Sequence, residues 1–230
     1  MKRKFIKKTV SVVLSILLIF TLTVGISAHE IYYTSNGLPI VLKWINTHNG
    51  KYRMKINGDK LNNETTAYLY ECDYSSYITQ YDSAKTAWNN CSQVIISQGV
   101  SRPAEANVII KTPSVEEWEI IESYAPNSIV FGHATLIDTN GREILSRNDA
   151  DASTGQIAYA TIRLNPDANV FYNSTHIRAV MVHELGHVLG LGHTNGTYNA
   201  TAAASVMKSN NSTYTVPQTH DINDITSKYG

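Results

Sequence analysis

Several things are scarce in this chain. Only 2 of its 230 residues are cysteine and 6 are proline, which excludes a disulfide-stapled miniprotein and a collagen-like or proline-rich linker chain. No internal repeat or low-complexity block is present, so solenoids and arrays are excluded. Lysine and arginine cluster nowhere beyond the first eight residues, which argues against nucleic acid and anionic membranes as partners. A single uncharged run is long enough to cross a bilayer, so a multi-pass membrane protein is excluded. What remains is 43% hydrophobic and 17% charged residues, the composition of one globular domain with a sizeable core.

The uncharged run lies at the start. Lys2, Arg3, Lys4, Lys7 and Lys8 precede an uncharged stretch over residues 9–26, and Ser27-Ala28 ends it. That order is the pattern of a secretory signal peptide. Residues 1–28 are read as the signal and 29–230 as a secreted, extracellular chain. An uncleaved membrane tether is the other reading that so long a run admits. Removing the segment takes five of the 19 basic residues, leaving 14 basic against 19 acidic and a net charge of −5. The mature chain is expected to be a monomer that binds neither nucleic acid nor membrane. Export also permits a disulfide, for which Cys72 and Cys91 are the one candidate pair. A helix of about 24 Å between them would hold them apart, and two partly buried free thiols are the alternative.

Along the mature chain, residues 40–46 and 52–57 read as strands joined by an Asn49-Gly50 turn, with 66–71 as a third short strand. Tyr77, Tyr81, Ala84, Ala87 and Trp88 recur at helical spacing and predict a helix over 75–90. Residues 107–111, 129–137, 142–146 and 157–164 read as further strands. Ser114-x-x-Glu117 is a capping box for a short helix. Ser174 or Thr175 caps a helix reaching about Gly190, and a last helix covers 221–229. The class is α+β with one mixed sheet.

The chemistry is concentrated in one segment, His183-Glu184-Leu185-Gly186-His187-Val188-Leu189-Gly190-Leu191-Gly192-His193. Residues four apart on a helix share a face, so His183 and His187 can chelate one metal ion without distorting the backbone. Glu184 adjoins the first ligand on the side where a general base for a metal-activated water is needed. His193 lies six residues past His187, which a straight helix would carry about 120° off the ligand face. Gly190 ends the helix at low steric cost, and the chain can turn back to bring His193 to the metal, with Gly192 adding freedom. No glutamate follows Glu184, which excludes a site with a downstream glutamate ligand. Asp221 and Asp224 stay open as carboxylate ligands, at a poorer spacing than His193. Three imidazoles suit one Zn²⁺ and leave a fourth position for water. A purely structural site would need a fourth protein ligand, for which His220 is the nearby candidate, and would belong to a non-catalytic zinc-binding or adhesive module.

These eleven residues resemble the signature of the metzincin metalloproteases. Ser205-Val206-Met207, 14 residues past His193, resembles the methionine turn that lies beneath the metal in that family, and residues 221–230 resemble the closing helix of its matrixin branch. The resemblance implies a zincin-like domain with a mixed, mostly parallel twisted sheet, a long N-terminal helix, an active-site helix and a short C-terminal subdomain ending in a helix. It divides the domain into an upper part, 29–192, and a lower part, 193–230. It implies a zinc endopeptidase acting on proteins or peptides, with Glu184 as general base. Phe131, Gly132, His133 and Ala134 resemble its substrate-pairing edge strand. Residues 52–71 then read as an additional hairpin. The chain departs from the branch in having no cysteine in a latency motif and no histidine between 134 and 175 to complete a second zinc site with His133. Calcium is a second cofactor to consider, because Asp138, Asn140, Asp149 and Asp151 flank one loop; a plain hairpin turn is the competing reading.

Overall fold

The structure is a computed structural model. It describes short strand fragments between residues 32 and 57, then residues 74–91, 93–98, 107–111, 113–126, 128–138, 140–144, 156–194, 204–208 and 213–230. Residues 1–28, read above as a signal peptide, residues 66–71 and Cys72 lie outside the described residues.

Among the described residues the elements are, in order, β1 (Tyr32–Tyr33), β2 (Pro39–Ile40), β3 (Lys43–Trp44), β4 (Thr47–His48), β5 (Lys51–Asn57), α1 (Tyr74–Asn89), β6 (Val94–Gln98), β7 (Val108–Lys111), α2 (Val115–Ser123), β8 (Gly132–Asp138), β9 (Gln156–Leu164), a 3₁₀ turn (Ala168–Val170), α3 (Ser174–Val188) and α4 (Thr219–Tyr229). The main sheet runs β6-β5-β7-β9-β8. The first four are mutually parallel, and β8 lies antiparallel on β9 at the edge. This is the mixed, mostly parallel sheet that the sequence implied.

The N-terminal strands differ from expectation. The described fragments of residues 40–46 fall in two different sheets: Pro39–Ile40 pairs with Tyr32–Tyr33, and Lys43–Trp44 lies parallel on β9. Thr47–His48 pairs antiparallel with the start of β5, Thr47 opposite Tyr52 and His48 opposite Lys51; Asn49-Gly50, the expected turn, lies outside the described residues. Nor is 52–57 part of an appended hairpin, because β5 lies inside the sheet between β6 and β7. Alternation marks a strand without naming its neighbours. The neighbour here is Val94–Gln98, a strand that the sequence reading did not assign although Val94-Ile95-Ile96 is a β-branched run.

Helix boundaries follow local chemistry. α2 opens on the expected capping box, with Ser114 Oγ accepting from Glu117 N and Glu117 Oε2 from Ser114 N. The cap of α3 is Asn173 rather than Ser174 or Thr175, its Oδ1 accepting from His176 N at 2.9 Å. β8 starts at Gly132, later than expected; just before it the Asn165 backbone amide donates to Phe131 O and its side-chain amide to Val130 O. Beyond the Asp138 turn the described residues 142–144 carry an Ile137↔Glu143 bridge rather than a strand, and 145–146 lie outside the described residues.

The core sits between the sheet and α3, against which α1 also packs. Trp44, Trp88, Tyr81, Ile96, Ile157, Ile162, Leu164, Met181, Leu185 and Leu189 are its fully buried large side chains. Each contributes roughly 1.5–3 kcal/mol by leaving water. The two tryptophans also donate to α3 carbonyls, Trp88 Nε1 to Val182 O at 2.9 Å and Trp44 Nε1 to Val188 O at 2.8 Å. A buried indole N–H needs such a partner, and here both partners belong to the helix that carries the histidines. Cys91 is buried with a free thiol.

Candidate metal centre

α3 ends at Val188, and Gly190 takes φ +83°. A residue with a Cβ pays a steric cost at that dihedral. The chain turns there and returns His193 to the helix face, as the spacing predicted. Gly190 alone of the two glycines is left-handed; Gly192 is not.

The result is a triangle of nitrogens. His183 Nε2 lies 3.1 Å from His187 Nε2 and 3.2 Å from His193 Nε2, and the third side is 3.1 Å. A tetrahedral zinc with Zn–N of about 2.05 Å requires nitrogens about 3.3 Å apart. The proton positions decide what this triangle is. His183 Nδ1 lies 2.8 Å from Val206 O, and His187 Nδ1 lies 2.8 Å from Leu191 O. A carbonyl only accepts, so both Nδ1 atoms carry the proton and both Nε2 atoms of the neutral rings present lone pairs. Burial, followed by the neighbouring His183 and His193, pushes the His187 pKa well below the usual histidine value and keeps that ring neutral. Lone pairs converging this closely fit a cation between them. Among the described residues these three histidines are the group that could hold a metal ion.

Glu184, next to His183 on α3, is buried close against β8. Burial pushes its carboxyl up to about 8, against a hydrogen bond from the Ala134 amide that pulls it down. Its Oε2 has no hydrogen-bond partner, although a buried carboxylate oxygen ordinarily has one. β8 makes this closeness feasible. A Cβ on Gly132 would stand 2.7 Å from Glu184 Oε1 and 2.8 Å from Val180 Cγ1, so only glycine lets the strand press against the helix there. The other edge of β8 carries no strand among the described residues.

The remaining candidates fall elsewhere. His133 stands across from Arg163 on β9, near Thr135, and burial followed by the Arg163 charge lowers its pKa. Asp221 does not join the metal group. It is fully buried, and its carboxylate accepts from Ser205 Oγ at 2.5 Å, Val206 N at 3.0 Å and Gln218 N at 2.8 Å. Asp224 lies beside His220, at 3.8 Å. Met207 is fully buried, and its carbonyl accepts from Thr194 N at 3.0 Å. Asp138 Oδ1 accepts from Asn140 N and Arg142 N, which is the hairpin-turn geometry; Asp149 and Asp151 lie outside the described residues. The sequence reading placed Gly132 on the edge strand but missed its close approach to Glu184, and it missed the anchoring role of Asp221. Spacing gives no sign of either, because both depend on segments remote in the chain.

A five-stranded core sheet with one antiparallel edge strand, packed on a helix whose histidines meet a third beyond a glycine bend, defines the metzincin class of metallopeptidases. The family model for matrixin matches residues 43–230, and the chain belongs to the matrixin family. Matrixins are zinc-dependent endopeptidases, so the class of activity is that of a metallopeptidase acting on proteins. A comparison with curated proteins finds no match.

Proposed function

We propose that this protein is a secreted zinc endopeptidase in which His183, His187 and His193 hold one zinc ion and Glu184 is the general base. The observation that supports it most is the meeting of three imidazole Nε2 atoms beside a buried carboxylate with an unpartnered oxygen. When bound, zinc supplies Lewis-acid polarisation of the scissile carbonyl and lowers the pKa of a water toward about 7. The protein's own residues do the rest. Glu184 takes the proton of the attacking water and passes it to the departing amine. The Ala134 amide orients that carboxylate. Residues 131–134 offer backbone pairing to an extended peptide, a sequence-tolerant mode of recognition suited to protein substrates. Val206 O and Leu191 O orient two of the ligands through their Nδ1 protons, and Met207 packs beneath them.

In the same reading residues 1–28 direct export and are removed. Residues 29–192 form the part above the cleft, and 193–230 the part below. Among the described residues no helix is long and apolar enough to cross a membrane.

Casein digestion with and without a chelator, together with metal analysis, tests the reading. We expect one zinc per chain and digestion abolished by chelator. Glu184→Gln should keep the zinc while turnover falls by about a thousandfold or more. A zinc-loaded Gln variant with full turnover would remove Glu184 from its role.

A further inference from the structure

α4 touches the metal-binding segment at both of its ends. In its first turn Asp221 holds Ser205 and the Val206 amide, and the Val206 carbonyl in turn orients His183. In its last turn two side chains reach the end of α3: Tyr229 Oη donates to Leu189 O at 2.8 Å, and Lys228 Nζ donates to Gly190 O.

These last two contacts fall on the bend that carries His193. A peptide unit is planar, so the carbonyl of one residue and the amide of the next turn together. In the unit joining Leu189 to Gly190, the amide donates to His187 O at 2.7 Å while Tyr229 holds the carbonyl. In the unit joining Gly190 to Leu191, the amide donates to Gly186 O at 3.0 Å while Lys228 holds the carbonyl. Each plane is pinned by the helix on one side and by α4 on the other. Carbonyls at a helix C-terminus have no partner within the helix, and a glycine with φ +83° does little by itself to hold one conformation.

We propose that Lys228 is a positioning residue of the metal centre, its ammonium fixing the Gly190 peptide plane so that the bend delivers His193 to His183 and His187. The proposal rests on the reading of the three histidines as a zinc site. Several observations make Lys228 the specific agent. An exposed lysine extends its ammonium into water, whereas this one is partly buried and ends on a backbone carbonyl. Burial lowers its pKa to about 8, and Asp224, one turn earlier on the same helix face, pulls it up. A cation at the C-terminal end of α3 also complements the helix dipole, and a charged donor bonds more strongly than a neutral one. From Gly190 only Leu191 and Gly192 intervene before His193, so a rotation of that plane moves the third ligand directly.

The test compares Lys228→Met, Lys228→Arg and the control Ile225→Val, a fully buried position one turn earlier in α4. For the full chain we would measure the zinc dissociation constant by chelator competition, the melting midpoint of the metal-free protein, and the absorption spectrum of the cobalt-substituted protein. Groups that orient metal ligands typically change affinity ten- to a hundredfold. Lys228→Met should weaken zinc binding by that factor and alter the cobalt spectrum, and Lys228→Arg should restore most of the affinity. Ile225→Val should lower the melting midpoint and leave zinc affinity within about twofold of wild type. Where Lys228→Met does not fold, Lys228→Gln replaces it with the same expected direction. Unchanged zinc affinity in the Met or Gln variant overturns the proposal, as does an equal loss of affinity in Ile225→Val. A wild-type chain that binds no zinc overturns the metal centre and this proposal together. Wild type that binds zinc yet cleaves no peptide overturns the peptidase reading alone, since the Lys228 measurement is made on metal affinity.

Discussion

Gly186 and Met207 are in such close contact that a Cβ placed on the glycine would stand 2.2 Å from the methionine sulfur and 3.1 Å from Trp88 Cζ2. The helix that bears the histidines thus rests directly on the turn beneath it. Gly186→Ala should destabilise the protein by about 2 kcal/mol through overpacking, less the ~1 kcal/mol that alanine gains over glycine inside a helix. Met207→Ala alone should cost about 2–5 kcal/mol. The double variant should cost clearly less than the sum, because the added methyl enters the vacated space. Denaturant unfolding of all four proteins measures that coupling, and strict additivity would deny the contact.

Gly132 bears on catalysis as well as stability. The Cβ of Gly132→Ala would stand 2.7 Å from Glu184 Oε1 and 2.8 Å from both Glu184 Cγ and Val180 Cγ1. The strand must then move off the helix or the Glu184 side chain must swing away, so stability falls and the carboxylate leaves the position proposed for the base. Turnover should fall about ten- to a hundredfold, in keeping with the contribution of a positioned acid–base group, with zinc content unchanged. Steady-state kinetics and metal analysis on one preparation check both halves.

Zinc should raise the melting temperature markedly. A ligand that binds only the folded state stabilises it by about 4 kcal/mol at a thousand times its dissociation constant. For a chain of this size that corresponds to a shift on the order of 10 °C. His193→Ala should abolish most of the shift, which calorimetry with and without zinc would reveal.

The Cys91 thiol should be inert in the folded protein. Burial, and then the charge of Asp221, raises its pKa from 9.0 to about 11. The thiolate is the reactive form, and a raised folded-state pKa means that the neutral thiol persists until pH climbs through about 11. Iodoacetamide at pH 8 should therefore label Cys91 only once denaturant is added, as peptide mass mapping would show.

The sequence disclosed the meeting of the three histidines far better than it disclosed the sheet. Ligand geometry within His183–His193 depends on helix pitch and one glycine, both local, so spacing alone predicted the triangle. The partners of β5 depend on residues some forty positions downstream, and an alternating hexapeptide says nothing of them. Asn173, Ser174 and Thr175 are all good caps, and which one closes the helix depends on how the chain arrives from the 3₁₀ turn. Asp221 invited a reading as a metal ligand because carboxylates near such sites often serve so. Its actual partners are Ser205 Oγ and the backbone amides of Val206 and Gln218, which only the folded chain brings to it.

That anchorage has a consequence for the order of events during synthesis. The histidines are translated well before Asp221, Lys228 and Tyr229, the side chains that clamp their surroundings. A nascent chain halted before residue 221 already carries all three histidines but lacks these contacts. If they align the triangle as proposed, that arrangement is completed only after α4 has emerged and docked.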